Sequence, residues 1–191
     1  MDPLTLVLVA IIGFVVLVGI VAVVIYNSLV TVLKQVDNAW AQIDVQLKRR
    51  ADLIPNLVET VKGYAKFEKS VLEGVTQART ALMSAKNPKD AAKADNMLTG
   101  ALKSIFAVAE AYPVLKANEN FKALQEELSS TENKVAFARQ FYNDMVTKWN
   151  TMILTFPNNF FAGMFGMNKE RELFAANESE RASVKVDFSK M

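Results

Sequence analysis

Apolar positions along this chain fall into two regimes. From Leu4 to Tyr26 they are almost continuous, a run of Leu, Val, Ile, Phe, Ala and Gly, and no charged side chain occurs between Pro3 and Leu33. This run predicts a membrane-spanning helix over residues 4–26, with residues 1–3 as a short extracytoplasmic N-terminus. At roughly 1.5 Å per residue it reaches about 34 Å, enough for a hydrocarbon core of about 30 Å with modest tilt. Leu4 and Phe14 belong to its apolar surface, Gly13 and Gly19 are small residues within it, and Tyr26 falls at the headgroup level, where an amphipathic ring is favoured. A cleaved signal peptide fits poorly. Asp2 stands where Lys or Arg belongs, the apolar run is too long, and no A-x-A site follows it.

Beyond residue 30 the apolar positions recur at helical spacing almost to Phe156, and strand signals are nearly absent. The prediction is an all-α chain: the spanning helix, then a four-helix up-and-down bundle over residues 27–156, then an aromatic, mostly irregular tail over 157–191. Phe121, Leu128, Val135, Tyr142, Trp149 and Phe156 recur every seventh residue, with Leu124, Thr131, Ala138, Met145 and Met152 as a second seam, in the manner of a coiled coil. The preceding helix opens on Asn87 as N-cap, Pro88 at the first helical position and Asp90 in the first turn. Its buried stripe runs through Ala91, Ala94, Leu98, Ala101, Ile105, Val108, Tyr112 and Leu115, and a few small polar residues lead into the Phe121 helix. Upstream, Leu29, Leu33, Val36, Trp40, Ile43, Leu47, Ile54, Leu57 and Val61 form one stripe, and Val71, Val75, Ala78, Leu82 and Ala85 form another. A helix unbroken between them would far outrun its partners. The break is placed at Gly63 to Phe67, with Pro55 bending the first helix without ending it.

From Pro157 on, Asn158, Asn159, Gly163 and Gly166 punctuate Phe160, Phe161, Met164, Phe165 and Met167, and the pattern is not helical. This run is expected to lie over the bundle; the alternative is a second contact with the bilayer surface. A short amphipathic piece over Lys169–Ala176 and an alternation of Val184, Val186 and Phe188 complete the chain.

Composition removes most chemistry. There is no cysteine and no histidine, so disulfides, thiolate nucleophiles, imidazole catalysis and His-based metal sites are excluded. The 22 basic and 20 acidic residues leave a formal charge of +2, which gives nucleic-acid binding little support. No catalytic, cofactor or metal site is expected. The distribution of charge matters more than its sum. Lys34, Lys48, Arg49 and Arg50 follow the apolar run while none precedes it, which by the positive-inside rule puts the helical domain in the cytoplasm.

The chain resembles the LemA family of bacterial membrane proteins. The resemblance is carried by Tyr26-Asn27-Ser28-Leu29-Val30 and by Arg49-Arg50-Ala51-Asp52-Leu53-Ile54-Pro55-Asn56-Leu57-Val58. It continues through Ala109-Glu110-Ala111-Tyr112-Pro113, Leu115-Lys116-Ala117-Asn118, Thr131-Glu132-Asn133, Ala138-Arg139, Tyr142-Asn143, the Phe156-Pro157 stop and the terminal Val186-Asp187-Phe188. It implies a protein of the cytoplasmic membrane with a four-helix domain. Where LemA-like sequences often carry a histidine before the equivalent of Glu68, this chain has Phe67.

Arg50 stands out, because it lies on the apolar stripe between Leu47 and Ile54, where a charge is expensive unless paired. Glu110 and Glu132 are the acidic candidates, with Asn133, Asn143 and Asn150 to complete the hydrogen bonds. Such a buried polar network is expected to fix helix register; a small-ligand or cation site between helices is the sharper alternative. The functional expectation is a non-catalytic, membrane-anchored scaffold or interaction protein of the LemA type. Its partners would be the lipid bilayer, further copies of itself and other membrane proteins, with no nucleic acid. Shaping a membrane surface through the aromatic tail is the alternative.

Overall fold

A computed structural model describes residues 2–63 and 69–174. Its described residues are all-α, with one long apolar helix at the N-terminal end. The elements are α1 (Pro3–Lys62), α2 (Lys69–Ser84), α3 (Pro88–Ala109), α4 (Pro113–Ala117), α5 (Glu119–Leu154) and α6 (Asn158–Met164).

The apolar run and the first amphipathic stripe are one helix, because nothing between them breaks it. Pro55 sits inside α1 without ending it. The helix closes at Lys62, with Gly63 in a turn; the rest of the expected break, including Phe67, lies outside the described residues. At α3 the Asn87 side chain accepts from the Asp90 N–H, and Pro88 occupies the first turn, where its missing donor costs nothing.

The chain divides into two compact units, Met1–Ala39 with Asn143–Arg171, and Trp40–Tyr142 with Glu172–Met191. In the first, Leu29, Val32, Val36 and Ala39 of α1 are buried, as are Val146, Trp149 and Ile153 of α5 and Phe161 and Ala162 of α6. The large apolar side chains from Leu4 to Val24 are exposed, and α1 is long and apolar enough to cross a membrane. In the second, the core takes Ile43, Leu47, Ala51, Ile54, Leu57 and Val61 from α1, Val75, Ala78 and Leu82 from α2, Leu98, Leu102 and Ile105 from α3, and Phe121, Leu128, Val135 and Tyr142 from α5.

Four local expectations need correction. The heptad seam of α5 is buried from Phe121 through Trp149, but Phe156 is 85% exposed and lies beyond the end of the helix at Leu154. Pro157 disfavours helical backbone at the residue before it, so the repeat outlasts the helix. The helix expected to carry its stripe through Tyr112 and Leu115 stops at Ala109, and Leu115, buried as expected, belongs to a separate helical turn, α4. The aromatic run after Pro157 is helical: α6 turns Phe161 and Ala162 inward and leaves Phe160 and Met164, one turn apart, outside. Lys169 to Phe174 is not a helix, and the described part of the tail from Met167 onward has no regular element. The end of the Lys169–Ala176 piece and the Val184, Val186, Phe188 alternation lie outside the described residues.

Candidate functional site

The polar cluster around Arg50 is built from three helices of one unit. The α1 stripe carries Arg50 inward between Leu47 and Ile54, and the residue is 1% exposed. Its Nη1 donates to Asp95 Oδ1 across 2.6 Å, and Asp95 is itself buried on α3. From α5, Glu132 brings Oε2 to 3.6 Å from Arg50 Nη2 while its side chain stays 49% exposed. Burial pushes the Asp95 carboxyl above its ordinary range, and the charge and hydrogen bond of Arg50 oppose that rise without cancelling it. The ion pair is desolvated, so breaking it strands a charge in a place that water does not reach.

Neighbouring contacts extend the clamp. Arg49, one residue earlier, faces outward and meets the Glu127 carboxylate. Thr131, fully buried, donates back to the Glu127 main-chain oxygen at 2.7 Å. Arg79 of α2 donates from Nε to the Ala51 main-chain oxygen at 2.9 Å. Beside the ion pair a cavity of about 190 Å³ is lined by Arg50, Thr99, Lys103, Phe106, Ser129 and Glu132, among others. The cluster ties α1, α3 and α5 together by charge, which fixes the register of helices whose apolar stripes alone tolerate sliding.

Sequence reasoning placed Arg50 and Glu132 here but missed Asp95. Glu110, the other acidic candidate, is exposed at the C-cap of α3, where its N–H donates to Phe106 O; the structure gives its place to Asp95. Asn133 is exposed and Asn143 half-buried. A signal for Asp95 did exist. It lies four residues after Ala91 and three before Leu98, so it stands on an apolar stripe just as Arg50 does.

A second constellation surrounds the end of the apolar segment, within the other unit. Tyr26 and Phe165 meet edge to face, ring centroids 5.0 Å apart. Phe161 stacks on Phe165 at 6.4 Å and makes an edge contact with Phe160 at 5.4 Å. Trp149 Nε1 donates to Lys169 O at 3.0 Å, and the Asn150 amide brackets Arg171 by donating to its O at 3.0 Å and accepting from its N–H at 2.8 Å. Lys148 Nζ lies 3.4 Å from Gln35 Oε1. In the apolar segment, Leu4 and Phe14 are exposed, Tyr26 less so, and Gly13 and Gly19 have open space where a side chain would grow.

Comparison with known proteins matches residues 39–188 to the model of the LemA family. A protein LemA from Metamycoplasma hominis is 29% identical over 169 residues, covering 86% of this chain and 74% of that protein. Magnetosome protein MamQ 2 from Paramagnetospirillum magneticum is 24% identical over 170 residues, and magnetosome protein MamQ from Magnetospirillum gryphiswaldense is 22% identical over 170. Each of these two alignments takes in 75% of this chain but only 62% of the MamQ protein, so the chain spans less than two thirds of those relatives.

Proposed function

Because this chain belongs to the LemA family, we propose that it is a non-catalytic, membrane-anchored interaction protein that self-associates at the bacterial cytoplasmic membrane. Residues 4–26 span the bilayer, the residues before them lie outside, and the helices after them lie in the cytoplasm.

The observation that carries this reading is the first part of α1. A continuous apolar surface from Leu4 to Val24 is exposed along a helix that then continues into a buried amphipathic stripe. In water such a surface would be strongly unfavourable, at about 25 cal/mol for each Å² left exposed, whereas hydrocarbon removes that cost. The orientation rests on Lys34 and the Arg49-Arg50 pair, which follow the span with no basic residue before it. Self-association is supported by Gly13 and Gly19, whose open surroundings let another helix approach closely. The names of the relatives describe no catalytic step.

Two measurements test the reading. A C-terminal fusion to a reporter active only outside the cytoplasm should stay silent, and strong activity would reverse the orientation. Native mass spectrometry of the full chain in mild detergent should show oligomers that Gly13→Leu or Gly19→Leu diminishes. A monomer at micromolar concentration would end the self-association reading.

A further inference from the structure

The segment from Thr155 to Asn168 carries no charged side chain, yet Lys148 and Lys169 bracket it. Folded, it forms α6 with two unlike faces. One is accounted for by packing: Phe161 and Ala162 are buried, and Phe165 lies edge-on to Tyr26. The other is bare. Phe160 is 67% exposed and Met164 58%, one helical turn apart, with the exposed Phe156 ahead of them. Phe160 and Met164 on one open face, with a further exposed ring at Phe156 just before the helix, call for a covering surface.

Where that face sits identifies the surface. Tyr26 closes the apolar segment of α1, so the Tyr26–Phe165 contact holds α6 level with the end of the span. Lys34, the first cation after the span, is about 12 Å further along α1 at 1.5 Å per residue. Lys148 reaches Gln35, and Lys169 is held by Trp149, so three lysines gather beyond the aromatic level. Asp37, paired with Lys34 and Arg171, offsets part of this charge. Aromatic rings at the boundary of the hydrocarbon with lysines just beyond is the order in which a bilayer presents acyl chain and headgroup.

We propose that α6 is a second membrane contact, in which Phe156, Phe160 and Met164 enter the headgroup and upper acyl region beside the cytoplasmic end of the spanning helix. This inference rests on the reading of residues 4–26 as membrane-spanning. A helix seven residues long binds lipid weakly by itself. Attached beside the span it needs no separate affinity, because the anchor already holds it at the bilayer surface. Two contacts on one unit also fix its tilt and rotation, which a single span leaves to its neighbours.

The chain contains no cysteine, so single nitroxide labels report cleanly. Full-length Phe14→Cys, Asn159→Cys, Phe160→Cys and Met164→Cys variants are labelled in vesicles of phosphatidylcholine with phosphatidylglycerol. Collisions with oxygen, which concentrates in lipid, are compared with collisions with a water-soluble nickel chelate. Labels at 160 and 164 should show a several-fold higher ratio of oxygen to nickel collisions than the label at 159, and the label at 14 the highest. Nickel access at 160 and 164 with 14 still in hydrocarbon would overturn the second contact and leave the anchor standing. Nickel access at 14 as well would overturn both. Exclusion of both reagents at 160 and 164 would mean that protein covers the face, which overturns the proposal in favour of a second copy of the chain.

Discussion

Arg79 donates its Nε–H across 2.9 Å to the main-chain oxygen of Ala51, the carbonyl that α1 leaves without a helical partner because Pro55, four residues on, has no N–H to give. One helix thus repairs the ladder of another, and the proline becomes tolerable within α1.

This pairing predicts a coupling. Arg79→Ala should destabilise the protein by about 1 to 3 kcal/mol by stranding the Ala51 carbonyl. In a Pro55→Ala background the helix supplies its own donor, so the same substitution should cost markedly less. Denaturant unfolding of the two singles and the double checks this, and equal costs in both backgrounds would separate Arg79 from Pro55.

Removing one member of the Arg50–Asp95 pair should be severe. Arg50→Ala leaves Asp95 buried without its counter-charge, a loss of about 3 to 5 kcal/mol. Lys62, on the same helix, pairs with Glu59 across an exposed surface, so Lys62→Ala should matter by tenths of that scale. Similar melting temperatures for the two variants would mean that Arg50 is solvated.

The raised Asp95 carboxyl sets the sign of a pH effect. A carboxyl whose folded pKa exceeds its unfolded value binds its proton more tightly when folded. Its contribution to stability is therefore full below the ordinary value of 3.8 and declines as pH rises through the folded value. Asp95→Asn cannot titrate. Wild type should thus lose ground to Asp95→Asn as pH is raised from 3.8 upward, and melting temperatures across the acid range decide this. A gap that widens in favour of wild type would mean that Arg50 outweighs burial.

Asn150 holds Arg171 by two hydrogen bonds, one given and one received. Asn150→Ala should release the segment around Lys169 and Arg171 to trypsin, at a stability cost of about 1 to 3 kcal/mol. Limited proteolysis with mass analysis reads this directly, and unchanged cleavage would assign the hold to Trp149 and Tyr142, which bond Lys169 O and Glu172 O.

By itself the sequence determined what depends on composition and period. An uninterrupted apolar run admits few settings besides hydrocarbon, and a heptad from Phe121 to Trp149 requires a helix with one buried seam, because both signals are local and repeated many times. The Asn87-Pro88 helix start was legible for the same reason, since a cap acts within one turn. Tertiary structure decided which of two neighbouring positions turns inward. After Ala91, both Ala94 and Asp95 lie near the stripe, and only the placement of Arg50 on another helix made Asp95 its partner while leaving Glu110 in solvent. It likewise decided that the run after Pro157 is helical: its glycines and asparagines are poor helix formers, and burial of Phe161 and Ala162 together with the seat of Phe165 against Tyr26 overrides that weak propensity. Ion-pair partners and aromatic contacts join residues far apart in the chain, and local periodicity carries no record of them.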